Sequence, residues 1–188
     1  LVIRFTNSVV VEMLISRIDV KSEISGTSKF ILISVKSNTN IWVDPQVVLP
    51  KLTIEDGVTH VQLNGSIAQV DIRTNNDLTL SGTGNFEKIN VETDKHVTLD
   101  TQGTVKEMNV QNQDTTMTIG DNVEIEAVKI PESSKPEDII DNYEDVKDQI
   151  GDKIEEGDLQ EFITAKFVRT DVDNLMGLSV VGVSKDAN

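Results

Sequence analysis

The stretch LTLSGTGNFEKINV, residues 78–91, returns nineteen residues later as VTLDTQGTVKEMNV, residues 97–110. The apolar positions are kept between the two copies, whereas Glu87 and Lys88 become Lys106 and Glu107. A chain that keeps its apolar positions at a fixed offset repeats one structural unit, because those positions face a shared core.

The same spacing runs from residue 30 to residue 130. Each unit begins with an apolar residue that is followed by others three and five residues later. The starting residues are Phe30, Leu49, Ile67, Phe86, Val105 and Ile125, which are 19, 18, 19, 19 and 20 residues apart. Two-residue steps indicate strands, and a period near twenty lets each turn of chain lie on the previous one. The sequence therefore predicts an all-β fold, a single-stranded β-solenoid (parallel β-helix, expected to be right-handed) of about five to six coils with a period of about 19 residues.

Charged residues on the outer surface are predicted to stack with alternating sign. Parallel strands lie about 4.8 Å apart, so equivalent positions of successive coils form columns of interacting side chains. One predicted column contains Lys36, Glu55, Arg73, Glu92 and Gln111. A second contains Glu87, Lys106 and Glu126. Opposite charges are neighbours in both columns, which favours this register.

The segments outside the regular repeat are predicted to differ from it. Residues 1–29 are interpreted as irregular N-terminal strands with a degraded first coil, and residues 30–131 as the solenoid repeats. Residues 132–158 predict an amphipathic helix that caps or links the solenoid, because Ser134 and Glu137 form a capping-box pattern before an apolar stripe. That stripe contains Ile139, Tyr143, Val146, Ile150 and Ile154. Residues 159–188 alternate like two strands around a turn and predict a C-terminal β-hairpin.

Composition excludes several classes of function. The 188 residues carry a net charge of −15, which disfavours nucleic acid and anionic membranes as partners. The chain has no Cys, which excludes disulfides and thiolate chemistry. No apolar run approaches the roughly 20 residues that span a bilayer, so no membrane insertion is expected. The chain opens at Leu1 without Met, which we interpret as a fragment or a processed form.

The two histidines occupy equivalent places in the repeat. His60 and His96 each precede the second strand of a coil, and Asp77 lies in the coil between them. A stacked His–Asp–His column would suit a metal ion or acid–base chemistry. The simpler interpretation is a surface ladder in which the carboxylate steadies two imidazoles. We favour the ladder and assign no metal site, because a third type of ligand is missing.

Three further patterns permit a functional and a structural interpretation. Arg73 could act as a catalytic base or substrate clamp, but Glu55 and Glu92 make it one rung of a charge column. Acidic corner residues could bind calcium, although turn formation explains them equally well; these are Asp94, Asp114, Asp121 and the tract Asp171, Asp173, Asn174. A column of Gln62, Thr79, Thr98 and Thr118 suggests ice binding. Because only one such column of threonines exists, a stabilising ladder is the favoured interpretation. No catalytic residue and no cofactor is therefore predicted.

Trp42 is the one candidate contact residue. The alternation of its strand points its side chain outward, at the head of the threonine column. An exposed Trp suits a binding contact such as stacking on a sugar ring. The alternative is that the N-terminal segment covers Trp42, together with the apolar residues Ile31 and Leu32.

The repeats LTIEDGVTHVQLNGSIAQVDI and VTLDTQGTVKEMNV resemble the β-solenoid modules of surface and S-layer-type proteins of Gram-positive bacteria. This resemblance covers about residues 30–130. It implies an extracellular, cell-surface location and a non-catalytic structural or adhesive role. Its implied partners are cell-wall material or another surface protein, and it carries no functional residue over to this chain. The alternative hypothesis is a carbohydrate-active β-helix, either a polysaccharide lyase or a glycoside hydrolase.

Overall fold

The computed structural model describes residues 1–132 and 134–156. The strands are β1 (Val2–Thr6), β2 (Val9–Ile15), β3 (Val20–Ser25), β4 (Lys29–Val35), β5 (Thr39–Val43), β6 (Val48–Ile54), β7 (His60–Ile72), β8 (Leu78–Val91), β9 (His96–Val110), β10 (Thr116–Ile119), β11 (Val123–Ile130) and β12 (Ile150–Glu156). Two one-turn helices, α1 (Pro136–Ile139) and α2 (Tyr143–Val146), and a 3₁₀ turn (Lys147–Gln149) lie between β11 and β12.

Every strand of the described residues pairs in parallel with strands of the neighbouring coils. The first face of each coil is formed by β1, β3, β5, β10 and the first halves of β7, β8 and β9. The second face is formed by β2, β4, β6, β11, β12 and the second halves of the three long strands. This is the predicted β-solenoid, with about seven turns and a period of about 19 residues. The handedness of the coil stays a prediction.

The N-terminal segment forms regular coils where the sequence predicted irregular strands and a degraded first coil. Strand β1 pairs with β3, β3 pairs with β5, and β2 pairs with β4. Residues 2–35 therefore form two turns of the solenoid, which accounts for a total above the predicted five to six. The pattern is weaker here because Ser22 occupies an inward position that is aliphatic in other coils.

The register of the second face agrees with the prediction at every starting position of the regular coils. Ile67 lies opposite Phe86, Phe86 opposite Val105, and Val105 opposite Ile125. Val91 lies between Ile72 and Val110 and has no exposed surface. The apolar positions of the repeat therefore stack into one continuous core.

On the first face, the pairings of β7 with β5 and with β8 differ by two residues from the predicted alignment, whereas those of β9 with β8 and with β10 agree with it. Val61 lies opposite Leu80, whereas the apolar pattern aligned Val61 with Leu78. Strands β7, β8 and β9 run unbroken from the first face into the second, so the hydrogen bonds of the second face also fix the register of the first. The corner at residues 73–77 accommodates the two-residue difference. An even shift keeps each side chain on its predicted face, so Val61 and Leu78 are both buried.

Gly65 allows β7 to bend from the first face to the second. Its φ of +122° lies in a region that other residues rarely adopt, and a Cβ there would lie 2.6 Å from the carbonyl oxygen of Val43. A glycine is therefore required for the coils to approach each other at this bend.

Buried threonines stabilise the opposite corner. The Thr74 hydroxyl donates to the Val58 carbonyl at 2.8 Å, and the Thr93 hydroxyl donates to the Thr74 carbonyl at 2.6 Å. The Thr115 hydroxyl continues the series by donating to the Thr93 carbonyl. These bonds satisfy carbonyl groups that the turn leaves without strand partners.

The segment after β11 covers the last coil in a different form from the predicted single helix. Within residues 132–158, the apolar stripe is divided between α1, α2 and the start of β12, and Ile139, Val146 and Ile150 are buried. The Asn142 amide closes the edge of β10, since it accepts from the Ile119 N–H at 3.1 Å and donates to the Ile119 carbonyl at 2.7 Å. Edge strands need such partners, and this need outweighs the local helical pattern. The predicted hairpin at residues 159–188 lies outside the described residues.

A pair of neighbouring substitutions tests this arrangement. Val91→Asp places a charge among stacked aliphatic side chains and should lower the free energy of unfolding by several kcal/mol, on the order of 3–5. Glu92→Gln changes an outer residue that accepts from Arg73 at 2.8 Å, and should cost less than about 1 kcal/mol. Urea denaturation of both variants measures the difference. Equal losses would contradict the strand phase.

Candidate functional site

Trp42 lies on the outer side of the first face, as its alternation predicts. Its neighbours on β5, Ile41 and Val43, are buried, and Trp42 itself is 49% exposed. The register places it between Glu23 and Asn64. It therefore does not head the threonine column, because of the same two-residue difference that moves Val61.

A groove of about 670 Å³ opens beside Trp42. Its lining includes Arg4, Glu23, Asp44, Pro45, Asn64 and Thr83. The volume falls within the range of about 300–1,000 Å³ that small-ligand sites occupy. An aromatic ring, amide and hydroxyl groups and charged groups thus meet in one concave surface.

Two cations organise the wall of this groove. The Lys21 ammonium lies 5.2 Å from the centre of the Trp42 ring, within the range of a cation–π interaction. Glu23 accepts from Arg4 Nε at 2.6 Å and contacts Lys21 Nζ at 3.0 Å. The hydrogen bond from Lys21, together with that from Arg4, holds the pKa of the Glu23 carboxyl below its ordinary value. Glu23 is consequently an anchored carboxylate that orients Lys21 over the ring, and it is poorly suited to donate a proton.

The two histidines are not brought together. His60 lies opposite Thr79, with Ser81 Oγ at 3.5 Å, because the first-face register differs from the predicted one. His96 is held separately: its backbone N–H donates to Asp77 Oδ1 at 3.1 Å, and its Nδ1 lies 2.8 Å from Thr116 Oγ1. The His–Asp–His column is therefore wrong for His60. Over residues 1–132 and 134–156, no group of three His, Asp or Glu side chains is placed to hold a metal ion.

Arg73 is a rung of the predicted charge column. Its Nε and Nη2 contact the Glu92 carboxylate at 2.8 and 3.2 Å, and this hydrogen bonding raises the pKa of Arg73 above its ordinary value. Lys106 pairs with Glu87 at 2.7 Å in the second column. One predicted neighbour pair in each column, Arg73 with Glu92 and Lys106 with Glu87, is thus an ion pair.

The other candidates lie in separate parts of the repeat. The threonine column contains Thr79, Thr98 and Thr118 as predicted, but it begins at His60 and not at Gln62. Asp94 pairs with its neighbour Lys95 at 3.2 Å. The tract containing Asp171, Asp173 and Asn174 lies outside the described residues.

Asp71, a carboxylate with 1% exposure on the outer side of the second face, was not predicted from the sequence. It contacts Lys51 Nζ at 2.7 Å and accepts from the amides of Asn90 and Gln69, each at 2.7 Å. Burial raises the pKa of Asp71, but these hydrogen bonds outweigh it and leave the pKa below its ordinary value. The detectable signal was the polar column Asp71, Asn90, Asn109, which breaks the alternation of charges seen elsewhere.

The lowered pKa gives a prediction with a defined sign. Asp71→Ala leaves the buried Asn90 amide and the half-buried Gln69 amide without this acceptor and should lower the free energy of unfolding by about 1–3 kcal/mol near pH 7. Asp56→Ala, on an exposed corner, is the matched control and should have little effect.

The pH dependence of that difference separates the charge from simple packing. A carboxyl with a depressed pKa stabilises the fold above its unfolded pKa of about 3.9, and this contribution is lost as the pH falls through the folded value. The gap between wild type and Asp71→Ala should be constant from pH 5 to 7 and shrink below about pH 4. Denaturant titrations across this range measure it, and a gap that widens in acid would contradict the assignment.

No helix in the described part of the chain has the length and apolar character needed to cross a membrane. No family model, curated protein or solved structure matches the chain. The geometry of the groove and the charge columns is therefore the basis on which a function is proposed.

Proposed function

We propose that the chain is a non-catalytic interaction module of an extracellular bacterial surface protein, which binds cell-wall glycan in the groove beside Trp42. The observation that carries this proposal is a Trp side chain that is 49% exposed over a groove of about 670 Å³. A half-exposed aromatic ring beside a concave surface can stack on a ligand that enters it.

The solenoid supplies a rigid support for this contact. Trp42 is fixed between two buried residues of β5, and β5 is paired on both sides with β3 and β7. Sites built on paired strands hold their geometry better than sites on loops. The ligand therefore meets a preformed surface, which lowers the ordering cost of binding.

The chemistry of the groove fits a neutral or weakly charged sugar. The ring can stack on the apolar face of a pyranose, and the exposed Thr83 side chain offers a hydroxyl for the sugar's own hydroxyls. The net charge of −15 disfavours polyanionic ligands. The Cys-free composition is compatible with an exported protein.

The surroundings of two carboxylates, Asp71 and Glu23, favour binding over acid–base catalysis. Glycoside hydrolysis uses two carboxyl groups about 5–9.5 Å apart, one of them protonated at working pH. Asp71 is buried, fully hydrogen-bonded and has a lowered pKa, and Glu23 is held between two cations. Neither has the raised pKa that a general acid requires.

Binding and turnover can be tested in one experiment. Purified chain is incubated with peptidoglycan and with neutral and acidic polysaccharides, with and without calcium, and bound protein and released sugar are both measured. We expect saturable binding to a cell-wall polymer without product, and a loss of about tenfold or more in affinity for Trp42→Ala, because stacking contributes about 1 kcal/mol beyond the buried area.

Thr98→Ala, an outward position of the first face in another coil, is the matched control and should bind as wild type. Sugar release that disappears in Arg73→Ala would overturn the proposal in favour of a polysaccharide lyase. Binding that Trp42→Ala leaves unchanged would remove the groove from the proposal.

A further inference from the structure

A second, smaller cavity of about 300 Å³ opens on the first face next to the groove beside Trp42. Lys21 lines both cavities, so the two adjoin each other. We call the second one the polar cavity. The charged and polar side chains that concern us in its lining are Asp19, Lys21, Asn38, Asn40, His60 and Gln62.

The register places the polar cavity two residues before the groove along the strands. Lys21 lies opposite Asn40 on the next coil, and Asn40 lies opposite Gln62 on the coil after that. The column that contains Trp42 follows two residues later on the same strands. Two residues of a strand span about 6.8 Å. A linear ligand that starts at Trp42 and runs toward the N-terminal ends of the strands therefore enters the polar cavity.

The walls of the polar cavity hold preformed hydrogen-bonding groups. The Asn40 amide donates to Gln62 Oε1 at 2.6 Å, a bond that uses the Gln62 oxygen while its N–H groups can donate to a ligand. Asn38 Oδ1 accepts from the backbone N–H groups of Thr59 and His60 at 2.9 and 3.0 Å, which fixes the corner that carries the exposed His60 ring. Donors and acceptors are thus in place before a ligand binds, which lowers the ordering cost.

The charges of the polar cavity favour a neutral ligand that is rich in hydroxyl groups. Asp19 and Lys21 are one acid and one base, so their formal charges cancel. A carboxylate accepts and an ammonium donates, and a sugar hydroxyl can bond to either because it is both a donor and an acceptor. The described residues that line the cavity include no Trp, Tyr or Phe, so hydrogen bonds take the place of ring stacking here.

Shorter side chains occupy the equivalent positions of later coils. The column of Gln62 continues with Ser81 and Asp100, and the position of His60 is taken by Thr79 in the next coil. The solenoid accepts these shorter side chains on the same face. Stability of the fold therefore gives no reason for the long amide and imidazole groups beside the groove.

We propose that the polar cavity is a second sugar subsite, so that the site takes an oligosaccharide of at least two units lying along the strands. This inference rests on the proposed function and adds the length and the direction of the ligand. One unit stacks on Trp42, and the next unit bonds to Gln62, His60 and Asp19. Lys21, which lines both cavities, lies at the link between the two units.

Titration with N-acetylglucosamine and with its linear dimer and tetramer, followed by backbone amide shifts in NMR spectra, tests this inference. We expect the dimer to bind about tenfold more tightly than the monomer, which corresponds to about 1.4 kcal/mol, the net contribution of one or two hydrogen bonds. The dimer should shift the signals of Lys21, Asn40 and Gln62 in addition to those around Trp42.

Two single substitutions locate the additional affinity. Gln62→Ala and His60→Ala should each lose most of the tenfold gain of the dimer and leave the affinity for the monomer unchanged. Gln102→Ala removes the same side chain as Gln62→Ala from an exposed position of the first face two coils later. This matched control should bind the dimer as wild type does.

Other results overturn the subsite. Equal affinities for monomer and dimer, wild-type affinity of either variant for the dimer, or shifts confined to the surroundings of Trp42 contradict it. Failure of all three sugars to bind contradicts it as well. The proposed function is decided separately, by binding to cell-wall polymers and its loss in Trp42→Ala, so the two failures are distinguishable.

Discussion

The stacking of aliphatic side chains at intervals of about nineteen residues is the interaction on which the rest of this structure depends. Ile72, Val91 and Val110 lie directly above one another, and each has at most 2% exposure. Short strands have little stability by themselves, so each coil is stable because its neighbours cover its apolar side chains. Stacking at this interval also fixes the outer surface, since the residue after each inward position points away from the core.

The candidate groove follows from that constraint. Trp42 points outward because Ile41 and Val43 occupy the inward positions on either side of it. Gly65 lets the chain bend close to β5, and the bend contributes to the lining of the groove. Arg4 reaches Glu23 because it lies opposite Glu23 on the preceding coil, and Lys21 reaches Glu23 from two residues earlier on the same strand. Hydrogen bonds from Lys51 and Asn90 outweigh the burial of Asp71, and those from Lys21 and Arg4 act on Glu23. They hold the pKa of both carboxyl groups below the ordinary value and argue against proton transfer there.

The sequence predicted the second face closely and the first face only in part. The positions of Phe86 and Val105 repeat without gaps, so their register could be read directly from the pattern. The alignment of Val61 could not, because a corner loop can absorb two residues without changing which side chains are buried. The apolar stripe after residue 131 indicated burial correctly, but the need to cover an open strand edge decided its backbone form. The exposure of Trp42 followed from alternation alone, whereas its groove depends on Arg4 and Thr83, which are distant in sequence. Asp71 was missed because its burial results from long side chains of neighbouring coils.

Nuclear Overhauser contacts between methyl groups test the stacked core most directly. In the uniformly methyl-labelled protein, the Val91 methyl groups should show cross-peaks to the methyl groups of both Ile72 and Val110, which lie one coil before and one coil after it. An antiparallel hairpin of the two repeated stretches would bring Val91 close to Val97 and Leu80 close to Met108. Cross-peaks between those pairs, with none from Val91 to Ile72, would contradict the solenoid and everything inferred from its register.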